Sequence, residues 1–217
     1  MKINRSFQIR SIDEESRIIE GQAIVFDSWS RDLGGFIEKI EPTAISEEEL
    51  CNFDIICNYN HDDNQMLARY HKGEGTLSLE LKPDGLYFQF ECPETAFGDE
   101  ILYHVRHNNI SECSFAALIS RNNVTRDKEG DHYIQIIKKI DQILDVSLVN
   151  RAAYPATSVS ARSEEEATAE FEDIKREVDE KEAVERAEQE RIEQEKRNEE
   201  ILNGLEELKN SFLEEIK

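Results

Sequence analysis

Apolar and polar residues alternate along most of the first 150 positions, with short turns rich in Gly, Asn, Asp and Pro between the alternating runs. A period of two is typical of β-strands that bury one face of a sheet. Several segments follow this pattern or form short apolar runs bounded by turns. The predicted strands are 7–12, 18–26, 37–40, 51–59, 71–81, 85–92, 114–119, 133–140 and 144–149.

Local signals indicate how these strands are connected. The Lys82–Gly85 sequence KPDG supplies the backbone angles of a hairpin turn, so the strands on either side are predicted to pair. Between Thr95 and Asn109 the apolar residues change to helical spacing, which predicts a helix. Residues 122–131 are polar and are predicted to form a turn. The sequence therefore predicts an α+β fold, a mostly antiparallel β-barrel or sandwich with flanking helices.

The chain changes character after Arg162. No strand pattern follows, and Phe171 and Ile174 begin a series of apolar residues at helical spacing. The pattern predicts one long helix whose apolar positions do not keep a heptad repeat, so partner pairing and disorder are both compatible with it. The predicted division is a folded domain over 1–162 and an acidic, helical or coiled-coil tail over 163–217.

The charge balance narrows the range of partners. The chain has 48 acidic and 26 basic residues, a net charge of −22, and residues 163–217 contain 21 acidic and 9 basic side chains. A strongly negative chain does not attract nucleic acid or an anionic membrane without clustered Lys and Arg. Neither is expected as a partner, and a basic protein surface is favoured.

The sequence contains no evident targeting or membrane segment. No apolar run approaches the ~20 residues of a membrane span, and the start of the chain leads directly into a strand pattern. A cytosolic protein is expected. The four cysteines, Cys51, Cys57, Cys92 and Cys113, include no CxxC pair and are expected to be reduced.

His61 is the first candidate for chemistry. A serine or cysteine nucleophile needs a base within reach and a third group that orients the base. His61 lies where a predicted buried strand runs into a polar loop, a common position for catalytic groups. A surface-loop histidine without a chemical role is the alternative.

Ser114 is the candidate nucleophile. It follows the predicted helix in a stretch of small and apolar residues, which would bring its hydroxyl close to the backbone. The next amide, that of Phe115, would then face a developing oxyanion. Ser111, Ser120 and Cys113 compete with Ser114, because serines at strand starts are common and usually inert.

Asp145 is the candidate orienting acid. It lies among apolar residues of the last predicted strand, where a carboxylate is costly unless it is paired or faces solvent. Orienting His61 is one role for it, and an outward-facing strand position is the other.

Metal and cofactor motifs fail on inspection. His104 and His107 are three residues apart on the predicted helix, but no third ligand appears in register, so no metal site is expected. The glycine motifs of the common nucleotide-binding folds are absent, and no cofactor is expected.

The order of several motifs resembles the tailed-phage prohead protease family, over about residues 5 to 162. The motifs are Gly21–Phe26 (GQAIVF), Leu33–Glu38 (LGGFIE) followed by Ile40–Pro42, the Asn60–His61–Asp62 triplet, the Gly85–Leu86 hairpin, the Ser114–Phe115 pair and the closing Leu144–Thr157 (LDVSLVNRAAYPAT).

The resemblance implies a serine endopeptidase with a fold akin to the herpesvirus assemblin, a β-barrel ringed by helices. Enzymes of the family are packaged inside an immature capsid, cut the scaffolding segment from the major capsid protein and then degrade themselves. Carried onto this sequence, the Asn-His-Asp motif makes His61 the general base, and the Ser-Phe motif makes Ser114 the nucleophile. The acidic position before Val-Ser, more often Glu in the family, makes Asp145 the candidate third member.

The implied partners are the major capsid protein, scaffold segments and the chain itself, through autocleavage and as a homo-oligomer. The implied location is the interior of the immature procapsid in the host cytoplasm. The tail falls outside the resemblance, and we expect it to retain the protease in the assembling shell by pairing with scaffold helices. The linker 157–163 is a candidate self-cleavage region.

Two other functions remain as alternatives. One is a catalytically silent assembly or scaffolding factor that acts through the coiled-coil tail. The other is a generic esterase, which the absence of a GxSxG motif disfavours.

Overall fold

Strands dominate the first 150 residues, and a long helix follows them. The computed structural model describes residues 10–11, 16–30, 32–130, 132–150 and 164–215. The helices are α1 (Glu47–Leu50), α2 (Ala96–Arg106) and α3 (Glu164–Glu215). The strands are β1 (Arg10–Ser11), β2 (Ile18–Val25), β3 (Phe36–Ile40), β4 (Asp54–Tyr59), β5 (Asp62–His71), β6 (Glu74–Gly75), β7 (Leu77–Lys82), β8 (Gly85–Glu91), β9 (Glu112–Leu118), β10 (Val124–Glu129), β11 (His132–Ile137) and β12 (Gln142–Val149).

The strands form three sheets, with strand orders β1-β2-β8-β7, β10-β11-β3 and β6-β5-β4-β12-β9. Seven neighbouring pairs are antiparallel, whereas β3 with β11 and β4 with β12 are parallel. The predicted α+β class is confirmed. Among the described residues no sheet closes on itself, so the predicted barrel is not confirmed.

The hairpin around Lys82–Gly85 and the helix predicted from Thr95 are both present. Lys82 pairs with Gly85 across the turn between β7 and β8. The Thr95 hydroxyl accepts a hydrogen bond from the Gly98 amide at 3.0 Å, which caps the first turn of α2. Both elements therefore form where their local sequence signals placed them.

Three predictions about the remaining strands are wrong. Residues 71–81 are not one strand, because Lys72 and Gly73 adopt φ values of 51° and 87° and end β5 in a tight turn. The polar stretch after Asp62 forms β5, although a loop is expected there from the sequence. The segment 122–131 contains the edge strand β10, whose residues are all half-buried or exposed and, apart from Val124, polar.

The core lies between the sheets and α2, and it includes the inner face of the five-stranded sheet. Val146 and Leu148 of β12, Cys57 of β4 and Phe115 of β9 point into it and are at most 2% exposed. Because side chains alternate along a strand, the neighbours of these four residues along each strand project from the opposite, outer face of the sheet. This outer face contains all the polar residues of β12 after Leu144.

The described residues divide into two compact units, Met1–Ile174 and Lys175–Lys217. In the first unit the start of α3 packs against the three-stranded sheet, with Phe171 against Tyr133 at 5.6 Å between ring centroids and Ile174 fully buried. In the second unit every described side chain from 179 to 203 is exposed.

The predicted C-terminal helix is confirmed. No helix within the described ranges is long and apolar enough to cross a membrane.

Candidate active site

His61 lies in a two-residue turn that connects β4 to β5. Asn60 and His61 have φ values of 53° and 58°, as the central residues of a type I′ hairpin turn require. Tyr59 pairs with Asp62 across the turn, and the Asn60 amide donates to the Leu148 carbonyl at 2.9 Å. His61 therefore lies in a tight turn held against β12, and the expectation of a polar loop at this position is wrong.

The structure brings His61 and Asp145 together. His61 Nδ1 lies 2.9 Å from Asp145 Oδ1, and the two side chains are 14% and 9% exposed. A carboxylate only accepts hydrogen bonds, so the proton of a neutral imidazole is on Nδ1 and Nε2 is left as an acceptor. This is the tautomer that a general base needs when its Nε2 takes the proton. Asp145 lies on the outer face of its sheet, but it does not face solvent, because the whole residue is only 6% exposed and its carboxylate is paired with His61.

Ser114 lies on the same face of the same sheet as Asp145. In the β9–β12 ladder Ser114 pairs with Ser147 and Ala116 pairs with Asp145. Paired residues project from the same face with Cα atoms about 5 Å apart. The His61 amide donates to Ser147 Oγ at 2.8 Å. Ser147, the residue paired with Ser114, is therefore in direct contact with the backbone of His61. In the described part of the chain, the Ser114 hydroxyl has no hydrogen bond to His61.

Phe115 lies opposite Val146 in the same ladder, with its ring in the core. Its amide follows Ser114 directly, as the sequence argument for an oxyanion donor requires. The residues brought together are thus His61, Asp145 and the strand segment that contains Ser114 and Phe115.

Cys113 is a poor competitor to Ser114. It lies on the core face, 2% exposed, and burial raises the pKa of its thiol well above the ordinary value. A raised pKa removes the thiolate, which is the nucleophilic form. Ser120 is exposed at the far end of β9, and Ser111 lies just before that strand. All four cysteines are free thiols.

His104 in α2 and His107 at its C-cap each make a hydrogen-bonding contact with a nearby residue. His107 Nδ1 lies 2.8 Å from the Tyr103 carbonyl, and His104 Nδ1 lies 3.1 Å from Asn109 Nδ2. In the described ranges no three His, Cys, Asp or Glu residues converge as a metal site would require. These residues therefore provide no ligand set for a metal.

Two polar residues that the sequence argument did not single out complete this face. Asn58 of β4 pairs with Ser147 of β12, which pairs in turn with Ser114 of β9, so the three form a row across the sheet. Asn58 and Ser147 are both 0% exposed. The available signal was a polar residue inside an apolar strand, in CNY for Asn58 and VSLV for Ser147.

The chain belongs to the caudovirus prohead serine protease family, because the family model matches residues 5–171. The resemblance drawn from the motifs is thereby confirmed, and the family indicates a protease with a role in phage maturation. Comparisons with curated proteins and with solved structures give no match. The matched residues include His61, Ser114 and Asp145 and extend into the start of α3.

Proposed function

We propose that this protein is a serine endopeptidase that cleaves scaffold and capsid protein, and itself, during maturation of a phage procapsid. The observation that carries the proposal is the His61–Asp145 hydrogen bond on the sheet face that also contains Ser114. Family membership supports the class of enzyme, and the geometry supports the assignment of residues.

In the proposed mechanism His61 Nε2 removes the proton of Ser114 Oγ as this oxygen attacks the scissile carbonyl carbon. The Phe115 amide donates to the oxyanion, and Asp145 stabilises the imidazolium that forms. His61 then protonates the leaving amine as the peptide C–N bond breaks, which leaves an acyl group on Ser114. Water deprotonated by His61 hydrolyses this ester and restores the serine. No cofactor enters these steps.

The proposed substrates follow from the family. They are the major capsid protein, scaffold segments and the chain itself, which acts as a homo-oligomer inside the immature procapsid in the host cytoplasm. The proposed self-cleavage region 157–163 and the predicted boundary at 162 lie outside the described residues. The barrel expected of an assemblin-like fold also stays a proposal.

The tail is proposed to pair with scaffold helices. Its exposed side chains from 179 to 203 leave it available to a partner. Val184, Ile192, Ile201 and Leu202 are exposed but do not form one stripe at helical spacing, which favours contact through charge over a regular coiled coil. A basic partner surface fits this helix.

Three substitutions test the catalytic assignment. Self-cleavage is followed by intact-mass spectrometry of the full chain, alone and with capsid protein. Ser114→Ala and His61→Ala should each lower the rate by at least about 10⁴-fold, and Asp145→Asn by less. Ser111→Ala, three residues before the proposed nucleophile, is the matched control and should cleave at the wild-type rate.

Each contrary outcome has a definite meaning. If Ser114→Ala shortens as fast as wild type, Ser114 is not the nucleophile. If wild type itself stays intact at high concentration with capsid protein present, the catalytically silent assembly factor becomes the better description.

A chain without residues 183–217 that cleaves normally but no longer co-assembles would support the proposed role of the tail.

A further inference from the structure

Ser147 is a buried polar residue in a strand that is otherwise apolar around it. It lies between Val146 and Leu148 of β12 and is 0% exposed. Its Oγ accepts a hydrogen bond from the His61 amide at 2.8 Å, over a separation of 86 positions along the chain. The same Oγ lies 3.4 Å from the Leu148 carbonyl oxygen. Because a backbone amide can only donate, Ser147 Oγ is the acceptor in its bond with His61.

The hydrogen bond fixes an unusual backbone conformation. His61 has a φ of 58°, in the left-handed region that residues other than glycine seldom adopt. The preceding amide, that of Asn60, is held by the Leu148 carbonyl. The His61 amide has only the Ser147 side chain as its acceptor among the described residues. Without that oxygen, nothing on β12 holds the His61 amide.

We propose that Ser147 is a positioning residue for the base, one that keeps the His61 imidazole against Asp145 and oriented towards Ser114. The inference rests on the proposed function, because it assumes that His61 is the base. The position of Ser147 supports it, since Ser147 lies beside Ser114 in the ladder and two residues after Asp145 on the same face. A single strand thereby holds the histidine by its ring and by its amide.

Ser30 provides a matched control. Its Oγ accepts a hydrogen bond from the Glu38 amide at 2.8 Å, and it is 6% exposed. The two serines thus make the same kind of buried bond at the same distance. Ser30 and Glu38 belong to the region of β3, away from the five-stranded sheet. Ser30→Ala therefore reports the effect of losing such a bond without disturbing His61.

The experiment uses the full chain and an alkyl fluorophosphonate, which reacts with an activated serine. The rate of labelling is measured from pH 5 to pH 9, the labelled residue is identified by peptide mass spectrometry, and melting temperatures are recorded. Ser147→Ala should be labelled about 100-fold more slowly than wild type, with a displaced pH profile, because a small misplacement of a catalytic group has effects of that size. Ser30→Ala should be labelled within threefold of wild type with an unchanged profile.

Ser147→Thr keeps the acceptor oxygen and should recover at least tenfold of the rate lost in Ser147→Ala. Equal rates and pH profiles for Ser147→Ala and Ser30→Ala would overturn the inference. So would labelling on Ser147 itself, or a Thr variant that melts like wild type without recovery. If Ser147→Thr melts lower than wild type, its labelling rate is not used. The labelling rates and pH profiles of Ser147→Ala and Ser30→Ala then decide whether the inference holds. Wild type that is not labelled at Ser114 would instead contradict the proposed function.

Discussion

His61 combines a strained backbone with a side chain bonded to a buried carboxylate. Three hydrogen bonds hold its turn, from the Asn60 amide to the Leu148 carbonyl, from the His61 amide to Ser147 Oγ, and between His61 Nδ1 and Asp145. All three partners belong to β12. Each left-handed residue of the turn costs about 1 kcal/mol, so these bonds must offset that strain. At the residue scale, the position of His61 is therefore determined by one strand.

Substitution of Asn60 tests whether the turn geometry matters for catalysis. Asn60→Gly should leave the unfolding free energy within about 0.5 kcal/mol of wild type, because glycine adopts positive φ without strain. Asn60→Ala should lower it by about 1 kcal/mol and slow self-cleavage, because alanine opposes the left-handed turn. Denaturant unfolding and intact-mass spectrometry measure the two effects.

Asn108 is the control for this prediction. It has a φ of 57° just after α2, so Asn108→Ala introduces the same strain away from His61. It should lose similar stability and cleave at the wild-type rate. If Asn60→Ala slows cleavage no more than Asn108→Ala, the turn does not position the histidine.

The sequence pointed to three candidate site residues and did not single out Ser147. His61, Ser114 and Asp145 each lie in a short motif, and His61 Nδ1 lies within hydrogen-bond distance of Asp145, as the proposed orienting role requires. Ser147 lies in the same LDVSLV segment as Asp145, but its local sequence does not show which residue its hydroxyl contacts, so no role was assigned to it. The contact between Ser147 and His61 depends on the parallel pairing of β4 with β12. The two residues are 86 positions apart, so no local sequence pattern predicts the contact.

At the scale of elements, the Gly34–Gly35 turn before β3 is adapted to the start of α3. Gly35 has a φ of 123°, and a Cβ atom there would lie 2.6 Å from the Phe171 ring. The same ring packs edge-on against Tyr133 of β11. The absence of a side chain at Gly35 thus allows the first turns of α3 to approach the three-stranded sheet.

Alanine at the two glycines separates strain from packing. Gly34 has a φ of 95°, and no described atom outside its immediate neighbours lies within 4 Å of the position that a Cβ would take. Gly34→Ala therefore introduces strain alone, about 1 kcal/mol. Gly35→Ala adds a clash with Phe171 and should lower the unfolding free energy by about 1–3 kcal/mol more. Thermal and denaturant unfolding of both variants measure the difference.

The double variant Gly35→Ala with Phe171→Ala completes the test. Removal of the ring relieves the clash, so the two substitutions should cost less together than the sum of their separate effects. Strict additivity would show that the ring and Gly35 do not interact.

The elements that sequence reasoning missed share a physical cause. β5 and β10 have few buried side chains, so their sequences resemble loops, although their backbones are paired in the sheets. The parallel neighbours β3 with β11 and β4 with β12 are equally hidden, because pairing between distant strands leaves no local trace. By contrast, α2 and the β7–β8 hairpin were predicted because a cap and a turn are local signals.

At the scale of the whole molecule, the change in composition and the end of the first compact unit do not coincide. Composition changes after Arg162, yet the first unit continues to Ile174 and the family match to residue 171. The intervening part of α3 supplies Phe171 and Ile174 to the first unit. An acidic sequence therefore includes a short segment that belongs, by its packing, to the protease domain.

Two truncations test this assignment. A chain that ends after residue 182 keeps all of the first unit, which ends at Ile174, and should melt within about 2 °C of wild type, with the same rate of fluorophosphonate labelling. A chain that ends after residue 167 loses Phe171 and the fully buried Ile174. Loss of a large buried apolar side chain costs about 2–5 kcal/mol, which corresponds to a melting temperature lower by at least about 5 °C. Equal melting temperatures for the two truncated chains would place the end of the protease domain at or before residue 167, close to the change in composition after Arg162.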